Sequence, residues 1–99
     1  MLHIVNKSPT DRHSLESCLR VAAPGGALLL IEDAVYAVAK GAGLETRMKE
    51  ALARFPIYAL LPDLEARAIA DRVIDGVRAI DYGAFVDLVA EHKCCQSWL

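Results

Sequence analysis

The sequence predicts an α/β domain in which a mainly parallel sheet lies between layers of helices. Short apolar runs alternate along the chain with stretches whose apolar residues have helical spacing, and this alternation is typical of βαβ units. One run, Ala27–Ile31, is apolar without interruption, as expected for a central strand that is covered on both faces. The 99 residues suit one domain, and we assign residues 1–99 to it.

The first strand and helix are predicted near the N-terminus. Leu2–Asn6 is a short apolar run that predicts a strand. The helix after it begins either at Ser8, followed by Pro9, or at Ser14, because both serines can cap a helix. The predicted helix has an apolar stripe with the spacing i, i+3, i+4, i+7, formed by Leu15, Cys18, Leu19 and Ala22.

A second strand and two helices follow. Ala27–Ile31 predicts the strand, and Asp33 behind it is predicted to cap a helix over Ala34–Lys40. Leu44–Phe55 predicts another helix, which Pro56 ends.

The last part of the chain predicts two more strands. Ile57–Leu61 is the third strand and precedes a short helical piece at Leu64–Ile69. Val77–Ile80 is the fourth strand, and Asp81 is expected to cap a helix that ends near His92.

Composition narrows the classes of function. Hydrophobic residues make up 55% of the chain, so some apolar surface should remain exposed, which favours an oligomer. The net charge is −2 with basic and acidic residues interspersed, which argues against direct nucleic-acid binding. No apolar run approaches the ~20 residues of a membrane span, and the N-terminus does not resemble a signal peptide. We therefore expect a cytoplasmic protein whose three cysteines are free thiols.

The sequence contains no standard motif for a cofactor or a metal. His3, His13 and His92 lack metal-ligand spacing, so we predict neither a metal site nor a cofactor. Glu32 and Asp33 follow a central strand, where open α/β sheets place ligands, so cation binding is an alternative to the capping role of Asp33.

Cys18 is the candidate for chemistry. On the apolar stripe it can be a small core residue, whereas at the edge of the stripe it could be a nucleophile. Arg12, His13 and Arg20 are near it in sequence, and positive neighbours lower the pKa of a thiol. Both interpretations remain open at this stage.

The C-terminal tail contains two further thiols and a tryptophan. Cys94 and Cys95 are adjacent and interpreted as incidental, since chain ends tolerate change. Trp98 is a large amphipathic ring, which we expect to dock on its own sheet edge or on another chain.

Several short stretches, in order and without insertions over nearly the whole chain, give it a family likeness. They are Met1-Leu2-His3, Ser8-Pro9, Leu28-Leu29-Leu30-Ile31-Glu32-Asp33, Tyr36-Ala37, Tyr58-Ala59-Leu60, Asp63-Leu64, Ala66-Arg67, Asp81-Tyr82, Phe85-Val86, Leu88 and Gln96-Ser97-Trp98. Together they resemble the DsrH/TusB family. The resemblance implies a three-layer α/β/α sandwich with a five-stranded parallel sheet of the DsrEFH type.

The same resemblance implies a function and partners. It places the chain in a heterohexameric sulfur-relay complex with DsrE-like and DsrF-like subunits, which passes persulfide sulfur to a downstream acceptor protein. The principal sulfur-carrying cysteine of such complexes belongs to the DsrE-like partner, so this chain is expected to be an accessory sulfurtransferase subunit at most.

The family has two branches. DsrH-type chains carry a cysteine in the segment of Cys18, and they act in sulfur oxidation with dissimilatory sulfite reductase. TusB-type chains lack it and serve 2-thiolation of a tRNA wobble uridine. Cys18 therefore favours the DsrH branch, with Cys18 as candidate sulfur acceptor; the alternative is a structural, TusB-like subunit.

Overall fold

The sheet has five strands, all parallel, in the order β4-β3-β2-β1-β5. A computed structural model describes residues 1–8, 14–22, 25–41, 43–92 and 94–98 of the chain. The strands are β1 Leu2–Val5, β2 Ala27–Leu30, β3 Ile57–Leu60, β4 Arg78–Ile80 and β5 Cys95–Trp98. The predicted parallel sheet is confirmed, and the tail supplies the fifth strand that only the family resemblance had implied.

Helices cover the two faces of the sheet unequally. They are α1 Ser14–Val21, a 3₁₀ helix Glu32–Val38, α2 Glu45–Leu52, α3 Leu61–Ala66 and α4 Tyr82–Glu91. The face that packs against α1, the 3₁₀ helix, α2 and α3 is called here the closed face. The opposite face packs against α4 and is called the α4 face.

The order of the strands explains this division. From β1 to β4 each strand is added on the same side of the previous one, so right-handed crossovers place all the intervening helices on one face. The connection from β4 to β5 runs back across the whole sheet, and the same handedness puts α4 on the other face. The three-layer α/β/α sandwich is thereby confirmed.

The segment after β2 differs from the prediction. The predicted α-helix Ala34–Lys40 is instead the 3₁₀ helix, which begins at Glu32 directly behind the strand. Glu32 has a φ of 51°, so the chain turns sharply there without a linker. The capping role of Asp33 is also wrong, because the capping residue is Ile31 and the helix has no side-chain cap.

Other boundaries also differ. α3 begins at Leu61 and not at Leu64, because Pro62 fits the first turn of a helix, where no backbone donor is required. α2 is shorter than predicted and covers Glu45–Leu52. The cap of α4 is confirmed, since the Ala84 amide donates to Asp81 Oδ1 at 2.8 Å. The alternative helix start at Ser8 and Pro9 involves residues 9–13, which lie outside the described residues.

None of the described helices has the length and apolar character that a membrane crossing needs.

Candidate functional site

Cys18 lies on α1 and points into the core of the closed face. Its side chain is fully buried, in a cluster with Leu15, Leu28 and Met48. Burial raises the pKa of the thiol from 9.0 to about 12, because an apolar environment disfavours the charged form. In this conformation Cys18 is a protonated thiol, inaccessible to a bulky reagent.

The arginines near Cys18 do not offset this burial. Arg20 is exposed on the outer side of α1. The Arg54 guanidinium donates to the carbonyl oxygens of Leu19 and Ala22, at 3.2 and 2.6 Å, so it caps the end of α1. Arg12 and His13, the other predicted neighbours, lie outside the described residues.

A cluster of charged residues occupies the carboxyl edge of the sheet. Arg67 donates from Nε and Nη2 to Asp33 Oδ1, at 3.0 and 2.9 Å, and from Nη1 to the Asp63 carbonyl oxygen at 3.2 Å. Asp63 Oδ2 in turn accepts the Glu32 amide at 2.7 Å. Both carboxylates are therefore engaged in holding α3 and the 3₁₀ helix together.

This arrangement bears on the alternative of a cation site at Glu32 and Asp33. Arg67 donates two hydrogen bonds to Oδ1 of Asp33, and its positive charge beside this carboxylate disfavours a bound cation. In the part of the chain that the structure describes, no three histidine, cysteine or acidic side chains converge in a way that could hold a metal ion.

Trp98 docks on its own sheet. Its indole Nε1–H donates to His3 Nδ1 at 3.1 Å, and the ring centroids are 6.1 Å apart. His3 is buried, and its pKa is lowered from 6.5, first by that burial and second by the N-terminal amine. Because Nδ1 must be free of a proton to accept, the hydrogen bond selects the neutral imidazole with its proton on Nε2.

The two tail thiols and the third histidine lie elsewhere. Cys94 and Cys95 are exposed free thiols at the start of β5. His92 is the C-cap residue of α4, and its Nδ1 lies 2.9 Å from the Leu88 carbonyl oxygen. The two tail thiols are exposed to solvent, whereas Cys18 is buried in the core of the closed face.

Sequence reasoning did not find Arg54 and Arg67. Each binds atoms that are more than 30 positions away along the chain. Local sequence patterns therefore contain no signal for these two contacts. A charged residue in a predicted helical stretch is normally interpreted as a solvated side chain.

The sequence identifies the protein family. The sequence pattern of the family described as "DsrH like protein" matches residues 7–94. The chain therefore belongs to the DsrH-like family.

Relatives within this family carry a more specific name. A protein of Pectobacterium parmentieri named "Protein TusB" is 38% identical over 98 residues, covering 99% of this chain and 100% of the relative. Proteins of the same name from Serratia proteamaculans and Escherichia coli O81 are 37% and 38% identical, again over 99% of this chain and the full length of each relative.

Solved structures show the same fold at lower identity. The ychN protein from E. coli superposes with a TM-score of 0.82 at 23% identity and covers 98% of this chain and 97% of its own. MTH1491 from Methanobacterium thermoautotrophicum, a protein of unknown function, gives a TM-score of 0.74 at 15% identity over 97% of this chain and 95% of its own.

Proposed function

We propose that this chain is a structural subunit of a cytoplasmic sulfur-relay complex that passes persulfide sulfur towards 2-thiolation of a tRNA wobble uridine. The observation that carries the proposal is the full-length similarity to proteins named TusB. The sequence alone favoured the sulfur-oxidation branch, on the strength of Cys18. The names of the relatives favour the tRNA branch instead.

The setting of Cys18 supports a structural role. In persulfide transfer a thiolate attacks the outer sulfur of the donor persulfide, forming a new S–S bond while the donor's inner sulfur leaves as a thiolate. The attacking thiol must first give its proton to a base. Raising the pKa from 9.0 to about 12 lowers the thiolate fraction of Cys18 by about a thousandfold near neutral pH.

In this role the chain contributes surface rather than a reactive group. The DsrE-like subunit would carry the sulfur, and the DsrF-like subunit would complete the heterohexamer. No metal or organic cofactor is needed for sulfur exchange between cysteines.

Deleting the gene in its native host tests the branch. We expect 2-thiouridine at the wobble position of the relevant tRNAs to fall to background, measured by mass spectrometry of digested tRNA. Complementation with the wild-type chain and with Cys18→Ser should restore it equally. Normal tRNA thiolation combined with a loss of sulfur oxidation would overturn the proposal in favour of the DsrH-type branch.

The second candidate function is that Cys18 is an accessory sulfur acceptor. The presence of a thiol at this position of α1 favours it, and it requires that α1 move away from the sheet in the complex. Mass spectrometry of the assembled complex after treatment with a persulfide donor would then show one added sulfur on this chain, lost on reduction and absent in Cys18→Ser.

Alkylation separates the two candidates. In the structural role, native Cys18 reacts far more slowly with iodoacetamide than Cys94 and Cys95 do, and the difference disappears in denaturant. The exposed tail thiols serve as the internal control. Fast labelling of Cys18 in the assembled complex would contradict the structural role and support the acceptor role.

A further inference from the structure

The α4 face of the sheet is incompletely covered. Sheets of parallel strands are almost always covered on both faces, yet α4 is the one described helix on this side. The strand residues Ile4, Tyr58 and Ile80 point to this face and are only partly buried. These partly exposed apolar side chains indicate that a further element, outside the described part of this chain, packs on this face of the sheet.

The outer surface of α4 is apolar as well. Tyr82 and Val86, one helical turn apart, are 61% and 67% exposed. Phe85 and Val89 continue the apolar surface toward the sheet and are partly buried. Such a continuous apolar surface is typical of a protein interface, whereas single exposed apolar residues are not.

A pocket beside α4 shows what chemistry the missing cover should have. It has a volume of about 250 Å³ and lies between α4 and the strands β3 and β4. Its lining residues are Tyr58, Ile80, Ala84, Asp87, Leu88 and Glu91. The floor is thus apolar and the helix side bears two carboxylates, which fits an apolar side chain flanked by basic groups.

The charges on α4 argue against a second copy of this chain as the occupant. α4 carries two acidic side chains, Asp87 and Glu91, and no basic one. A symmetric dimer uses the same patch on both copies, and a two-fold axis at the middle of α4 would bring the two Asp87 carboxylates together. Arg78 points to this face from the edge strand β4 but does not line the pocket.

We propose that the α4 face, defined by Tyr82, Val86, Asp87, Glu91, Tyr58 and Ile80, docks a different protein subunit that presents an apolar surface edged with lysine or arginine. The inference rests on the proposed function, because it assigns this face to a partner within the relay complex. Apolar contact supplies the affinity, and the acidic edge selects a basic partner over a second copy.

Reconstitution with the purified DsrE-like and DsrF-like subunits tests the inference. Val86→Lys should weaken binding by about tenfold or more, as for a residue at the centre of an interface. Val86→Glu removes the same apolar contact but adds an acid, so a basic partner should tolerate it better than Val86→Lys. The double variant Asp87→Lys/Glu91→Lys should also weaken binding by about tenfold, with an effect that shrinks at high salt.

A matched control lies on the other side of the molecule. Glu50→Lys/Glu65→Lys makes the same change of charge on α2 and α3, at exposed positions, and should leave binding within about twofold of the wild type. Circular dichroism and urea unfolding of each variant confirm that folding is intact. In hydrogen exchange, the amides of α4 and β4 should gain protection on assembly, whereas those of α2 should not.

The outcomes separate the two proposals. If the wild-type chain forms no complex with these subunits, the proposed function fails. If the complex forms but the α4 variants bind as the wild type does and α4 gains no protection, the docking inference alone is overturned. A homodimer that Val86→Lys abolishes would overturn the choice of a different subunit as the occupant.

Discussion

The two faces of the sheet differ in how far this chain completes them. On the closed face, four helical elements bury an extended core that includes Cys18. On the α4 face, one helix leaves apolar strand residues partly exposed and presents Tyr82 and Val86 to solvent. The thiol that the sequence offers as a sulfur acceptor therefore lies on the well-covered face, whereas the apolar surface available to other proteins lies on the α4 face.

The largest expected effect is a loss of core packing on the closed face. Leu28 is fully buried in the central strand β2, so Leu28→Ala should lower the free energy of unfolding by about 2–5 kcal/mol. Ile80→Ala on the α4 face should cost less, because that side chain is partly solvated already. Urea unfolding measures both, and equal losses would contradict the difference between the faces.

Arg54, which follows the end of α2, binds the C-terminal end of α1 on the closed face. Arg54→Ala removes two hydrogen bonds to the carbonyl oxygens of Leu19 and Ala22, and we expect a loss of about 1–2 kcal/mol in stability. Lys49→Ala, at an exposed position of α2, is the control and should be nearly neutral. Arg54→Lys keeps the positive charge but cannot donate from two guanidinium nitrogens at once. Its loss of stability should therefore lie between those of Arg54→Ala and Lys49→Ala. If Arg54→Ala unfolds at the same urea concentration as the wild type, these two hydrogen bonds contribute nothing to stability.

His3 gives the closed face a dependence on pH. The pKa of His3 is lowered in the folded chain, so below about pH 6.5 the unfolded chain binds a proton that the folded chain resists. The stability contributed by neutral His3 is therefore present above that pH and is lost as the pH falls through the folded-state pKa.

Replacing the indole donor tests the hydrogen bond between Trp98 and His3. Trp98→Phe should cost about 1 kcal/mol at neutral pH, because it removes the hydrogen bond to His3. Most of the fall in stability on the acid side should remain, because burial and the N-terminal amine lower the pKa of His3. Urea midpoints across the pH range, with NMR titration of the His3 ring, measure both effects. His92→Gln, at the end of α4, is the control. A complete loss of the pH dependence in Trp98→Phe would contradict burial and the N-terminal amine as its source.

The smallest effect is expected on the outer surface of α4. Val86 is 67% exposed, so Val86→Ser should change the stability of the isolated chain by less than about 0.5 kcal/mol. The same variant should nevertheless weaken assembly with the partner subunits. A loss of stability as large as that of Leu28→Ala would contradict the exposed position of Val86 on α4.

Sequence reasoning succeeded where the signal is local. The apolar runs predicted four of the strands, and Asp81 predicted the start of α4 because its partner, Ala84, is only three positions away. Trp98 was expected to dock, and its position on its own sheet follows from the pairing of β5 with β1.

It failed where the structure depends on distant partners. Over seven residues the apolar spacing of a 3₁₀ helix is hard to tell from that of an α-helix, and the segment Glu32–Val38 is held by Arg67 and Asp63 from another part of the chain. The stripe on α1 indicated that Cys18 could be buried, but periodicity does not say how deeply. The openness of the α4 face depends on the order of the strands, which no local pattern contains.

The pairing of β5 with β1 has a consequence for the order of folding. His3 and Trp98 are 95 positions apart, so forming this pair closes a loop that spans nearly the whole chain. Contacts of such sequence separation are costly in chain entropy and form slowly. We expect the strands β1 to β4 to assemble first and β5 to join last, with the indole bonding to the imidazole as the step that completes the sheet.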